Sequence, residues 1–255
     1  TEIKNISSVY KTLADEILPQ LRRARLTANY DIIGRSDEEI NEAFDTDAKV
    51  LSANELLYAA TLTNDKARQE AIYKKTTELY PNDFRAYNNL GMMAYANGDF
   101  TTAENYFKQA ASKDANAPEV NTNLGYIELV KGNVANAETY LSKSTGANTA
   151  NEALGNLYIK QGQYDRAVQA FGDTKTNSAA LAQILAKDYN KAKNTLNAVK
   201  NPDAYTDYLM AIVGARTNNA DLVKTSMAKV AQKDATLAAK AQIDREFAKY
   251  ANEIK

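Results

Sequence analysis

The side chains best equipped for covalent or acid–base chemistry are missing from this sequence, and those that remain suit recognition. Its 255 residues include no histidine, no cysteine and no tryptophan. The chain therefore lacks the commonest general base and the commonest transition-metal ligand, and it has no thiolate for a nucleophile, a disulfide or a metal site. Carboxylates are plentiful, but the run Asp37-Glu38-Glu39 opens a helix-forming stretch. Negative charge there complements the helix dipole and does not form a catalytic dyad. Gly125 and Gly132 do not sit in a phosphate-binding loop. Sixteen tyrosines remain, each joining an apolar ring to a polar tip, and such side chains serve both peptide and carbohydrate binding. The expectation is a non-catalytic protein with neither cofactor nor metal.

Composition narrows the partners. Thirty-one Lys and Arg oppose thirty-two Asp and Glu, for a net charge of −1. That balance lacks the basic excess of a nucleic-acid binder. A basic concentration at Arg22, Arg23, Arg25 and Arg35 reads as solvated or interdomain surface. Hydrophobic residues make up 44%, enough to bury a core, yet no apolar run approaches the ~20 residues of a membrane span. The opening Thr1-Glu2-Ile3-Lys4 is not a signal peptide, and a start without Met fits a mature form or an excised fragment.

Leu90-Gly91, Leu124-Gly125 and Leu154-Gly155 form a spaced series. A second glycine follows seven residues after the first (Gly98, Gly132, Gly162), then an alanine five further on (Ala103, Ala137, Ala167). The glycines of the pairs stand 34 and then 30 residues apart. Self-similarity at this period predicts stacked helix-turn-helix units. Gly91 and Ala103 are expected to be small because the two helices of a unit cross there, Gly98 to make the tight turn, and Phe107 to fill the gap to the next unit.

The remaining elements follow from periodicity and caps. From residue 51 onward the pattern is helical, beginning with the capping box Ser52 and Glu55 and a degenerate first unit over 51–81 that closes at Pro81. Pairs follow at 83–112, 117–144 and 149–171, then two less regular ones at 177–199 and 203–233, where Gly214 and Met227 are faint echoes. A final helix over 235–252, with Leu237, Ile243 and Phe247 on one face, is expected to cap the array. Residues 1–50 read differently. Ile3, Ile6, Val9, Leu13 and Ile17 make an amphipathic helix ending at Pro19, and Leu26, Ala28, Tyr30 and Ile32 alternate as a strand up to Gly34. Ser36 with Glu39 opens a short helix. A lone strand asks for a sheet outside this sequence, or for a second copy in a weak homodimer through 24–33.

The run from Ala86 to Ala110, with Tyr87, Leu90-Gly91, Gly98, Ala103, Phe107 and Ala110, resembles the tetratricopeptide repeat. The resemblance implies an all-α superhelix of helical hairpins, about six pairs over 51–255, that binds a protein or peptide in a concave groove. Its groove positions fall on Arg85, Asn88, Met92 and Tyr95, on Glu119, Thr122, Tyr126, Leu129 and Val130, and on Glu152, Asn156, Ile159 and Lys160. The lysine clamp of chaperone-binding members is absent, since Asn88 or Thr122 stands where its key lysine would be. The run Leu18 to Gly34, followed by Leu51 to Ala60 and the repeats, is similar to the C-terminal part of Bacteroidetes cell-envelope proteins in which an OmpA-like domain precedes a tetratricopeptide array. That likeness implies that 1–33 closes such a domain, and that the protein is periplasmic or outer-membrane-associated. The function expected is a protein-interaction scaffold of the envelope; the alternative is a glycan-binding module.

Overall fold

Short polar side chains set the helix starts by accepting from backbone amides that have no partner within the helix. In the computed structural model, which describes residues 34–252 together with Lys11, Asp15 and Ile254, both expected capping boxes form. Ser36 N donates to Glu39 Oε2 at 2.7 Å and Glu39 N to Ser36 Oγ at 3.2 Å, heading α1 (Asp37–Asp47). Ser52 N donates to Glu55 Oε2 at 2.8 Å and Glu55 N to Ser52 Oγ at 3.3 Å, heading α2 (Ala53–Ala59). Apart from Lys11 and Asp15, the expected helix over 3–17 lies outside the described residues, as do the expected strand and the homodimer drawn from 24–33.

The chain divides into residues 1–39 and residues 40–255. Residues from 40 onward pack with the first hairpin. Ile40 is buried in one core with Leu51, Leu56, Ala59, Ala60 and Ile72, and Phe44 packs against it. Tyr80 Oη donates to the Leu51 carbonyl at 2.6 Å, which ties the segment after α1 to the end of the first hairpin. The apolar residues of 40–51 have no other core among the described residues.

Six antiparallel pairs follow. They are α2 with α3 (Lys66–Leu79), α4 (Phe84–Ala96) with α5 (Phe100–Lys113), and α6 (Pro118–Lys131) with α7 (Val134–Leu141). Then come α8 (Ala150–Lys160) with α9 (Tyr164–Phe171), α10 (Asn177–Leu185) with α11 (Tyr189–Asn197), and α12 (Ala204–Arg216) with α13 (Ala220–Lys233). No strand occurs among the described residues. The second helices are uneven: α3, α5 and α13 have 14 residues each, whereas α7 and α9 have 8 and α11 has 9.

The Leu-Gly pairs mark close helix crossings. A Cβ placed on Gly91 would lie 2.5 Å from the Phe107 ring, one on Gly125 2.5 Å from Leu141 Cδ2, and one on Gly155 2.6 Å from the Phe171 ring. Phe107 is thus seated on the glycine of its own hairpin, while its cluster also includes Val120 and Leu124 of the next. Ala103, Ala137 and Ala167 are fully buried at the same seams.

The interhelix turns repeat one geometry. Gly98, Gly132 and Gly162 have φ of 78°, 80° and 73°, and the next residue's amide closes the turn onto a carbonyl five positions back. Asp99 N reaches Ala94 O at 3.0 Å, and Asn133 N reaches Glu128 O at 2.8 Å. The later hairpins lack these glycines yet keep the turn. Lys187 (φ 65°) and Asn218 (φ 56°) occupy it, with Asp188 N to Gln183 O and Asn219 N to Gly214 O both at 2.8 Å. Counted back from those turns, Ala180 and Ala211 hold the place of Gly91. Gly214 is therefore one turn displaced from the Leu-Gly position, and it is pressed against the start of α13 with Val223 N 3.0 Å from a notional Cβ.

The single capping helix expected over 235–252 is broken. It is α14 (Ala235–Ala241) followed by a 3₁₀ turn over Arg245–Tyr250. Asp244 starts the second piece by accepting from Glu246 N at 2.9 Å, and its carboxylate also accepts from the Tyr208 hydroxyl. The kink turns Phe247 and Tyr250 into the core of α12 and α13 and leaves Ile243, expected on the buried face, 85% exposed.

Candidate functional site

The first helices α4, α6, α8 and α10 line two adjoining depressions that share Tyr95 and Tyr126 as their dividing wall. The smaller, about 100 Å³, is lined by Met92, Tyr95, Phe107, Asn123, Tyr126 and Thr149. The larger, about 430 Å³, is lined by Tyr95, Tyr126, Leu129, Val130, Asn156, Ile159, Lys160 and Leu181. Together they form a shallow groove across the middle hairpins. The two tyrosine rings are 6.4 Å apart and tilted by 52°. Phe100 meets the Tyr95 ring edge-on at 5.2 Å and steadies it from outside the groove. Met92 and Val130 are exposed at 44% and 47%, so an incoming side chain meets apolar surface that is still open to water.

Polar groups along the groove are mostly committed to one another. Asn123 Nδ2 donates to Asn88 Oδ1 at 2.8 Å, linking α6 to α4. Asn156 Nδ2 donates to the Glu152 carbonyl at 3.1 Å, and the Asn156 amide lies near the Tyr126 hydroxyl, whose pKa it tends to lower. Burial, followed by the charge of Glu152, pushes the Tyr126 phenol far above its ordinary pKa, and burial also raises that of Tyr95. Both rings are therefore neutral hydrogen-bonding groups throughout the physiological range, and neither is a general base.

The expected groove residues fall into three groups. Met92, Tyr95, Tyr126, Leu129, Val130, Asn156, Ile159 and Lys160 line the depressions. Asn88 and Glu152 stand beside them through Asn123 and Tyr126. Three residues do not join. Thr122 is fully buried, with its hydroxyl returned to the Pro118 carbonyl at 2.8 Å, so it belongs to the helix seam. Arg85 is held by Asp83 at 2.5 Å and by Asn54 Oδ1 of α2 at 2.9 Å, which ties the guanidinium to the start of α4 and the preceding hairpin, and it lines neither depression. Glu119 is exposed and lines neither. Thr149 and Leu181 were missed, although both were within reach. Thr149 precedes Gly155 by the interval that separates Arg85 from Gly91. Leu181 follows Ala180 as Met92 follows Gly91, once the register is counted from the turn at Lys187.

Tetratricopeptide-repeat family models match residues 72–105, 89–152 and 152–175. With the hairpins and crossings above, these identify tetratricopeptide repeats within residues 72–175. No curated protein matches it. Among solved structures, the APC/C hetero-tetramer Cut9–Hcn1 is similar with a TM-score of 0.67 and 15% identity, over 84% of this chain and 44% of that chain. A tetratricopeptide repeat protein from Parabacteroides merdae gives 0.57 and 12%, over 86% and 90% of the two chains. PilW, a type IV pilus biogenesis factor, gives 0.54 and 18%, over 77% and 97%. These likenesses are of fold. The chain thus spans less than half of the first of these structures and nearly all of the other two. Among the described residues no helix is long and apolar enough to cross a membrane, and no carboxylate group has the arrangement to hold a metal ion.

Proposed function

We propose that the chain is a protein-interaction scaffold whose middle hairpins hold a peptide segment of a partner, with apolar side chains entering the depressions on either side of Tyr95 and Tyr126. The observation that carries this reading is the pair of depressions itself. A space of about 100 Å³ accommodates one aliphatic side chain, and the adjoining space of about 430 Å³ holds a larger one. Tyrosine walls with open Met and Val surface favour apolar anchors with polar tips nearby. The tetratricopeptide repeats support the scaffold reading, as does the presence of the same fold in a protein named for a hetero-tetramer.

The glycan alternative asks for exposed, coplanar rings. The groove tyrosines are tilted by 52°. The near-parallel pair Tyr205 and Tyr208, at 14°, exposes only one of its rings, since Tyr208 is 9% accessible. A bacterial envelope setting is part of the proposal and rests on the likeness of the N-terminal run to OmpA-like envelope proteins.

A photo-crosslinking residue at position 130 tests the groove. The expected result is one crosslinked partner peptide, lost when Tyr95→Asp and Tyr126→Asp are introduced together in a chain of native circular dichroism. Desolvated carboxylates would face its apolar anchors. Unchanged crosslinking in that variant would overturn the reading.

A further inference from the structure

A third depression, of about 480 Å³, opens between α11, α12 and α13. It faces away from the groove. Counted from the turn at Asn218, Ile212 holds the place of Met92 in its hairpin. At about 100° per residue, Thr206, Asp207 and Met210 project from the side of α12 opposite Tyr205, Tyr208 and Ile212. The floor is apolar, from Leu196, Met210 and Leu222, and the rim is basic. Lys193 stands on the α11 wall, with Lys229 and Lys233 on the α13 wall.

One carboxylate, Asp207, borders this space, and it is already used. Lys233 Nζ sits 2.7 Å from Asp207 Oδ2 and donates to the Pro202 carbonyl at 3.2 Å, closing one end. Lys193 and Lys229 are exposed and have no carboxylate at ion-pair distance among the described residues. The imbalance extends beyond the rim. Residues 187–240 hold nine Lys and Arg against five Asp and Glu, in a chain whose net charge is −1.

We propose that this depression docks an acidic segment of a protein partner, with a glutamate or aspartate side chain between Lys193 and Lys229 and a neighbouring aliphatic side chain on the Leu196–Met210–Leu222 floor. The floor decides the class of partner. A phosphate backbone or a lipid surface would be attracted to the lysines but would gain nothing from a recessed apolar base, whereas a peptide uses both. The site is separate from the tyrosine groove in residues, charge and face, so the two stand or fall independently.

The test uses the full chain and a blocked peptide, acetyl-Gly-Leu-Glu-Glu-Leu-Gly-amide, with its Gln-Gln counterpart as control, followed by amide chemical shifts in NMR. The expected result is saturable shifts confined to 193–199, 206–210 and 222–233, absent with the Gln-Gln peptide and weakened several-fold by added salt. Lys193→Glu with Lys229→Glu should weaken binding by about tenfold or more, while Lys193→Arg with Lys229→Arg should retain it. Both pairs lie on exposed positions and should leave the circular dichroism native. Equal shifts with the two peptides, or shifts centred on Tyr95 and Tyr126, would overturn the proposal. Binding of anionic phosphatidylserine vesicles without binding of the Glu-Glu peptide would also overturn it, in favour of a membrane partner.

Discussion

Lys187 stands in the backbone position that Gly98 holds three hairpins earlier, with φ of 65° against 78°. A lysine is held left-handed there because Asp188 must begin α11 with its carboxylate on Lys191 N at 3.1 Å while its amide closes α10. The surrounding hydrogen bonds outweigh a local conformational penalty of about 1 kcal/mol.

Replacing that residue should therefore stabilise the protein. Lys187→Gly is expected to raise stability by about 0.5 kcal/mol, the relief of left-handed strain less the entropy that glycine adds to the unfolded chain. Asn218→Gly should give less, because asparagine tolerates this region better. Urea unfolding reads the effect as a higher midpoint at unchanged slope; a lower midpoint for Lys187→Gly would contradict the turn assignment.

The crossing glycines predict the opposite sign. Gly125→Ala places a methyl 2.5 Å from Leu141 Cδ2, and Leu141 is 2% exposed with little room to move. A loss of about 1–3 kcal/mol is expected. Adding Leu141→Ala should cost less in the Gly125→Ala background than in the wild type, because the methyl then occupies vacated space. An additive double-mutant cycle would mean that the two residues do not meet.

Acid should loosen the α6–α7 hairpin at its turn. Glu128 is buried, which raises its pKa, but Asn133 and Asn136 at 3.0 and 3.1 Å and Lys131 at 3.2 Å outweigh that and hold it below the ordinary value. A carboxyl with a depressed folded-state pKa contributes stability that is fully present above its unfolded value, about 4.3, and is lost as the pH falls through the folded one. Thermal melts should be flat from pH 7 to about 5 and fall below about 4.3. Glu128→Gln should melt lower at pH 7, by about 1–3 kcal/mol for donors left facing an amide, and show a shallower acid slope. An unchanged slope would place the acid sensitivity elsewhere.

The broken cap makes a further prediction. Phe247 is 1% exposed and meets the Tyr208 ring edge-on at 5.5 Å, while Glu246 pairs with Arg216. Phe247→Ala should cost about 3 kcal/mol, whereas Ile243→Ala, although equally apolar in sequence, should cost nothing measurable. Equal losses in the two variants would restore the continuous helix.

Much of this was legible in the chain. Leu90-Gly91 and its copies named the crossings, Ser52 with Glu55 named a helix start, and the register implied by the tetratricopeptide resemblance named Met92, Tyr95, Tyr126 and Ile159, which line the two depressions. The remainder depended on choices that residue type does not reveal. Thr122 fits a groove position by register, but its hydroxyl finds the Pro118 carbonyl. Gly214 looked like a Leu-Gly echo because the true marker of its hairpin is a backbone angle at Asn218. The cap broke because Asp244 accepts from the Tyr208 hydroxyl, a contact made across 36 residues that no local pattern records.

The unequal second helices have a mechanical consequence. The second helices α7, α9 and α11 have 8, 8 and 9 residues, against 14 in α3, α5 and α13 toward either end. A shorter helix has fewer internal hydrogen bonds to hold it closed, so α7, α9 and α11 should open locally more readily than the longer second helices. The tyrosine groove lies over that compliant middle. A ligand seated there would act as a splint, and the amides of 134–141 and 164–171 would slow their exchange with solvent when it binds.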